Sequence, residues 1–122
     1  MTYEHEEISE AIIGAAFEVH NILGYGFLEK VYQNAMQVEL IRRGHRCVTE
    51  SQIKVKYKQV VVGEYRADLL VDEVVLAELK VAKTYQSADE AQILNQLKAT
   101  GIKVGLLINF GREKVEVRRM IF

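Results

Sequence analysis

The sequence predicts an α/β domain built on a mixed β-sheet with helices on its faces. Apolar residues recur at helical spacing over the first third of the chain. Three consecutive segments then carry strand signals, and a helical segment separates them from two further strands. A meander followed by a helical crossover returns the chain parallel to its last strand, so the sheet is mixed. The length of 122 residues is that of one domain. With 49% apolar and 27% charged residues it has the balance of a globular chain.

The first helix is expected from about Glu4 to Leu23, with Ile8, Ile12, Ala15, Ala16, Val19, Ile22 and Leu23 on its apolar stripe and Gly24 as its stop. A second runs from about Leu28 to Arg43, with Leu28, Val31, Tyr32, Ala35, Met36 and Leu40 as the stripe and Gly44 beyond it. Ile53, Val55 and Tyr57 alternate with Lys54, Lys56 and Lys58, a strand with one apolar and one cationic face. Val60–Val71 and Val74–Ala82, separated by Asp72-Glu73, are apolar on both faces and are expected at the centre of the sheet. Ser87–Thr100 is helical, with Ser87 as N-cap, Asp89 and Glu90 in the first turn and Gly101 as stop. Val104–Asn109 and Val115–Phe122 complete the strands. No proline, linker or repeat marks a domain boundary.

A formal net charge of −1 excludes a polybasic coat that would bind nucleic acid by charge alone. The lone Cys47 can form neither an intrachain disulfide nor a thiolate zinc site, and is read as a small strand-side hydrophobe in a reducing compartment. No targeting segment or membrane-length apolar run is expected, which predicts a cytoplasmic protein. His5, His20 and His45 are scattered without ligand spacing.

Charges within apolar strands are the anomaly that points to chemistry. Asp68 lies in Tyr65–Val71, and Glu78 and Lys80, two residues apart and so on one face, lie in Val74–Val81. Unpaired buried charges are costly, so these residues must pair, reach water or hold a cation. A two-residue turn at Asp72-Glu73 would oppose Asp68 to Ala77, away from Glu78. An odd-length turn or a bulge would place Asp68 opposite Glu78, where a divalent oxygen-seeking cation such as magnesium would relieve their repulsion. Metal binding requires the odd register. The spacing alone leaves a structural ion cluster equally open.

Gly26-Phe27-Leu28-Glu29-Lys30-Val31-Tyr32 reads GxxExxY. With Asp68, Glu78-Leu79-Lys80, Ala91–Asn95 and Leu106–Gly111, the chain resembles the GxxExxY proteins of the PD-(D/E)XK nuclease superfamily and its RecB-like branch. The resemblance implies a restriction-endonuclease-like fold and a nuclease dependent on Mg²⁺ or Mn²⁺. It implies Asp68 and Glu78 as metal ligands, the Leu79 carbonyl as a third, and Glu29 completing the site directly or through water. Lys80 becomes the catalytic lysine, and Gln92 matches the glutamine of the QxxxY helix motif. Gly26 is expected to let the chain pass close to the site. Ala67 stands in the position of the superfamily's proline, and Gln96 in that of the helix motif's tyrosine, with Gln92 and Gln96 on one helix face.

Two functions follow. The first is hydrolysis of nucleic-acid phosphodiesters by Asp68, Glu78, Lys80 and Gln92, with a local basic groove, a homodimer or a partner protein supplying the attraction that net charge does not. The second is a nuclease-fold module that binds nucleic acid or protein with little turnover. The lysine stripe at 54, 56 and 58 is either a phosphate track or a guard against edge pairing. Tyr3, Tyr25, Tyr57, Tyr65 and Tyr85 are candidate base-stacking residues with no motif joining them.

Overall fold

The computed structural model describes residues 4–84 and 86–122; the candidate stacking residues Tyr3 and Tyr85 lie outside the described residues. Its elements are α1 (Glu6–Leu23), α2 (Glu29–Arg42), β1 (Cys47–Tyr57), β2 (Val60–Val71), β3 (Val75–Lys80), α3 (Ser87–Thr100), β4 (Val104–Asn109) and β5 (Glu116–Ile121). The sheet order is β1-β2-β3-β4-β5. β3 and β4 run parallel, joined by the α3 crossover, and the other pairs are antiparallel. This is the mixed sheet with flanking helices that the meander and crossover predict.

The core is divided by the sheet. On one side α1 and α2 pack Ile12, Ala16, Tyr32, Met36 and Leu40 against Leu69, Ala77, Leu79 and Leu106. On the other, Leu97 of α3 meets Leu76, Ala67 and Ile53. Gly105 permits this second contact, because a Cβ there would stand 2.9 Å from the Ile93 side chain.

Several expectations are corrected, beginning with Ile22, expected on the α1 stripe and found exposed. The α2 stripe is turned: Leu28 and Val31 are exposed, and the inward face is Tyr32, Gln33, Met36 and Leu40. β1 begins at Cys47, six residues before the lysine alternation, because the polar stretch Cys47–Gln52 pairs with the C-terminal half of β2. Finally, β2 is central only over that half. Val60–Val62 are exposed, because β1 and β2 extend past the sheet as a two-stranded ribbon closed by Lys58-Gln59, both at positive φ.

The GxxExxY segment is built largely by local needs. Gly26 has φ +112°, open to glycine and strained for other residues, and an added Cβ would meet nothing within 4 Å. Its role is therefore conformational, and the expected close approach to the site is not what requires it. The Tyr32 hydroxyl donates to the Gly24 carbonyl at 2.6 Å, while its ring stacks on Phe110 at 4.6 Å. This ties the α1–α2 loop to the end of β4 and sets where α2, and with it Glu29, begins. Asn109 clamps the neighbouring loop, bonding both the N–H and the carbonyl of Ala82, where Gly111 passes so close that a Cβ would clash with backbone.

Candidate active site at the fork of β2 and β3

β2 and β3 pair as Leu69↔Ala77, Leu70↔Leu76 and Val71↔Val75, which leaves the three residues Asp72, Glu73 and Val74 in the turn. This is the odd register. The turn is shaped by Asp72 and Glu73 at φ 51° and 63°, and closed by the Val74 N–H on the Val71 carbonyl at 3.1 Å. The Asp72 carboxylate secures it, accepting from the Arg46 N–H at 2.9 Å and lying 2.6 Å from His45 Nδ1. Burial raises the Asp72 pKa, but the His45 and Arg46 contacts outweigh it, and the net shift is downward.

One step further along this register the strands part, and Asp68 stands opposite Glu78. Each carboxylate bonds the other strand's backbone: Leu79 N–H donates to Asp68 Oδ2 at 2.7 Å, and Asp68 N–H to Glu78 Oε1 at 3.3 Å. From α2, Gln33 Nε2 donates to the Asp68 carbonyl at 2.9 Å, holding the fork open on that side. Glu78 is only 4% exposed. Burial, and next the neighbouring charge of Asp68, push its pKa up to about 8. Glu29, half-buried at the start of α2, is raised as well: desolvation leads, Asp68 adds to it, and the Lys80 ammonium pulls the other way.

The structure thus brings Glu29, Asp68, Glu78 and Lys80 into one neighbourhood. Leu79 enters it through its N–H. Gln92 is exposed on α3, whereas Gln96, one turn on, is 1% exposed. The two glutamines therefore do not share one accessible face. Both Gln96 amide atoms are buried without a well-formed hydrogen bond, although the amide lies near enough to Glu78 to favour its ionised form. Two site features are absent from the sequence analysis. Gln33 carries no signal there beyond its i+4 relation to Glu29. Lys80 meets Asp89, in the first turn of α3, at 3.5 Å; the N-cap is Gln86 and not the expected Ser87, and Asp89 completes the cap by accepting from Gln86 N–H at 3.1 Å.

Among the described residues no three His, Cys, Asp or Glu side chains are already drawn together as a metal cage. The donor set nevertheless fits a hard cation. It offers carboxylate oxygens from two strands, mutually repelling and partly desolvated, with a third carboxylate within electrostatic reach.

Fold and sheet together define a restriction-endonuclease-like α/β domain. The family model of the PD-(D/E)XK nuclease superfamily matches residues 6–120, and the chain belongs to that superfamily. No curated protein and no solved structure matches it. No helix among the described residues is long and apolar enough to cross a membrane.

Proposed function

We propose that this chain is a metal-dependent nuclease of the GxxExxY group, in the RecB-like branch of its superfamily, hydrolysing nucleic-acid phosphodiester bonds. The observation that carries the reading is the odd register of the β2–β3 turn, which sets Asp68 against Glu78 at a fork in the sheet. Asp68 and Glu78 would hold Mg²⁺ or Mn²⁺, with the Leu79 carbonyl and Glu29 completing the oxygen set. A divalent cation there supplies charge neutralisation at the phosphate and a more acidic water.

Lys80 projects from the same strand face as Glu78 and supplies a positive charge at the site. Turned from Asp89 toward a phosphate, its ammonium donates to a non-bridging oxygen or orients the attacking water. Glu78 must lose its proton before it can ligate, and Gln96 beside it favours that ionised form. Gln92, exposed on α3, would contact substrate in this reading. The Lys80–Asp89 pair also favours a second reading, a nucleic-acid-binding module in which the lysine stays sequestered.

Cleavage of labelled single- and double-stranded DNA and RNA in Mg²⁺, Mn²⁺ or EDTA separates the two. Metal-dependent cutting, reduced at least about 100-fold in Glu78→Gln and in Lys80→Ala, is the expected result. Folded wild-type protein that binds and cuts nothing overturns the nuclease reading.

A further inference from the structure

On its α2 side the fork is flanked by a second group of charges. The β1 residues Thr49 and Ser51 pair with Leu69 and Ala67, so Glu50 is the β1 position beside Asp68. Leu69 packs into the core under α1 and α2, and Ala67 into the core under α3, although residues two apart on a regular strand share a face. The ribbon therefore turns over at Asp68 and Glu50, and Glu50 takes a φ of 52° there, uncommon for a residue with a side chain. Its carboxylate meets α2. Oε2 lies 2.5 Å from the Lys30 ammonium, and Oε1 lies 4.0 Å from the Arg66 guanidinium. Lys30 follows Glu29 in the first turn of α2, and Arg66 precedes Asp68 by two residues.

Stability is a poor account of this group. The three side chains are 44% to 71% exposed, and ion pairs this open contribute little. Nor do the cations serve the site carboxylates. Lys30 turns to Glu50 and not to Glu29, whose charged neighbours are Asp68 and Lys80. The Arg66 guanidinium makes no hydrogen bond among the described residues, and Glu64, two residues before it, is held by Gln52 at 3.0 Å. On the α3 side of the fork, Lys80 is likewise paired with a carboxylate, that of Asp89. Lys30, Arg66 and Lys80 are thus each faced by an acidic side chain of the protein itself, in keeping with its formal charge of −1.

We propose that Lys30 and Arg66 bind a backbone phosphate of the nucleic acid beside the one at the fork, and that Glu50 holds the place of that phosphate until it arrives. In the free protein the two oxygens of one anionic group face an ammonium and a guanidinium. A phosphodiester offers the same pair through its non-bridging oxygens, and the guanidinium fork suits it better than it suits a carboxylate 4.0 Å away. Arg66 stands about 7 Å along its strand from Asp68, which puts the pair next to the fork and not in it. Masked in this way, the cations do not hold polyanions indiscriminately by charge. Where the bound strand is cut rests on the nuclease reading; the phosphate contact does not.

The test is anisotropy of a short labelled single strand and of its duplex, in EDTA over a salt series, with cleavage kinetics measured separately in Mg²⁺ or Mn²⁺. Lys30→Ala and Arg66→Ala should each weaken binding and reduce the log–log salt slope by about 0.7 on the single strand or about 0.9 on the duplex. In cleavage they should raise KM and leave kcat within about 2-fold. Glu50→Gln, which keeps the length of the side chain, should tighten binding by up to about 5-fold. Arg46→Ala removes an equally exposed cation, paired with Glu73 at the far end of β2, and should change none of these. Circular dichroism confirms that the variants fold. Binding that depends on Lys30 and Arg66, without cleavage, sustains the phosphate contact and removes the nuclease reading. Cleavage and binding indifferent to both variants overturn the contact and leave the nuclease reading standing. Folded wild type that binds neither nucleic acid at low salt overturns the contact too. Weaker binding in Glu50→Gln would make Glu50 an anchor for the two cations and overturn its place-holding role.

Discussion

At the scale of single residues, the fork is a place where the fold holds a carboxyl group against its preference. Glu78 has an ordinary value of 4.5 and is raised to about 8 by burial and by Asp68. Between those values the unfolded chain releases the proton while the folded chain keeps it. Its stabilising contribution is therefore complete below about pH 4.5 and lost as pH rises through about 8. The span corresponds to an effect on the order of 3–5 kcal/mol. Urea denaturation at pH 5 and pH 8.5 should show wild type losing stability across that interval by an amount that Glu78→Gln does not lose. Equal pH dependence in the two proteins would show that Glu78 titrates normally. Gln96 belongs to the same balance. A buried amide without well-formed bonds is unfavourable unless it serves a neighbour, and the neighbour is Glu78.

At the scale of elements, the decisive feature is the length of one turn. Three residues between β2 and β3 put Asp68 opposite Glu78, and two would have put Ala77 there. Asp72 anchors that turn to the Arg46 N–H and the His45 ring. Asp72→Ala should destabilise the protein by about 1–3 kcal/mol, with Asp72→Asn, which keeps an acceptor for Arg46, in between. Because the Asp72 pKa is lowered in the fold, its contribution is present above the ordinary 3.8 and fades as pH falls through the folded value. The gap between wild type and Asp72→Ala in denaturant titrations should therefore close in acid; a gap of the same size at pH 7 and pH 3 would assign the effect to backbone strain. The helices and most strands could be read from the sequence, since their apolar periods and glycine stops are local. The turn parity could not. Val60–Val71 and Val74–Ala82 are apolar on both faces, so their pattern does not say which face is which. The same limit hid β1 before Ile53, where Glu50 takes a φ of 52° within a polar stretch. It also hid the Lys80–Asp89 pair, which spans the loop into α3 and has no spacing rule.

For the molecule as a whole, the cation and the fold are linked equilibria. If Asp68 and Glu78 ligate a divalent ion only when folded, the ion stabilises the whole domain by mass action, about 2.7 kcal/mol at 100 times its dissociation constant. For a chain of this length that corresponds to a rise of about 10 °C in the unfolding midpoint. The rise should be larger at pH 8.5 than at pH 6, because binding must displace the proton that burial and Asp68 keep on Glu78. It should vanish in the double variant Asp68→Asn, Glu78→Gln, whose own midpoint is the control for the loss of charge repulsion. Thermal unfolding with Mg²⁺, Mn²⁺ and EDTA at the two pH values measures all of this without any substrate. A rise of the same size in the double variant would place the cation elsewhere. No rise at either pH would leave Asp68, Glu78 and Lys80 as a structural cluster.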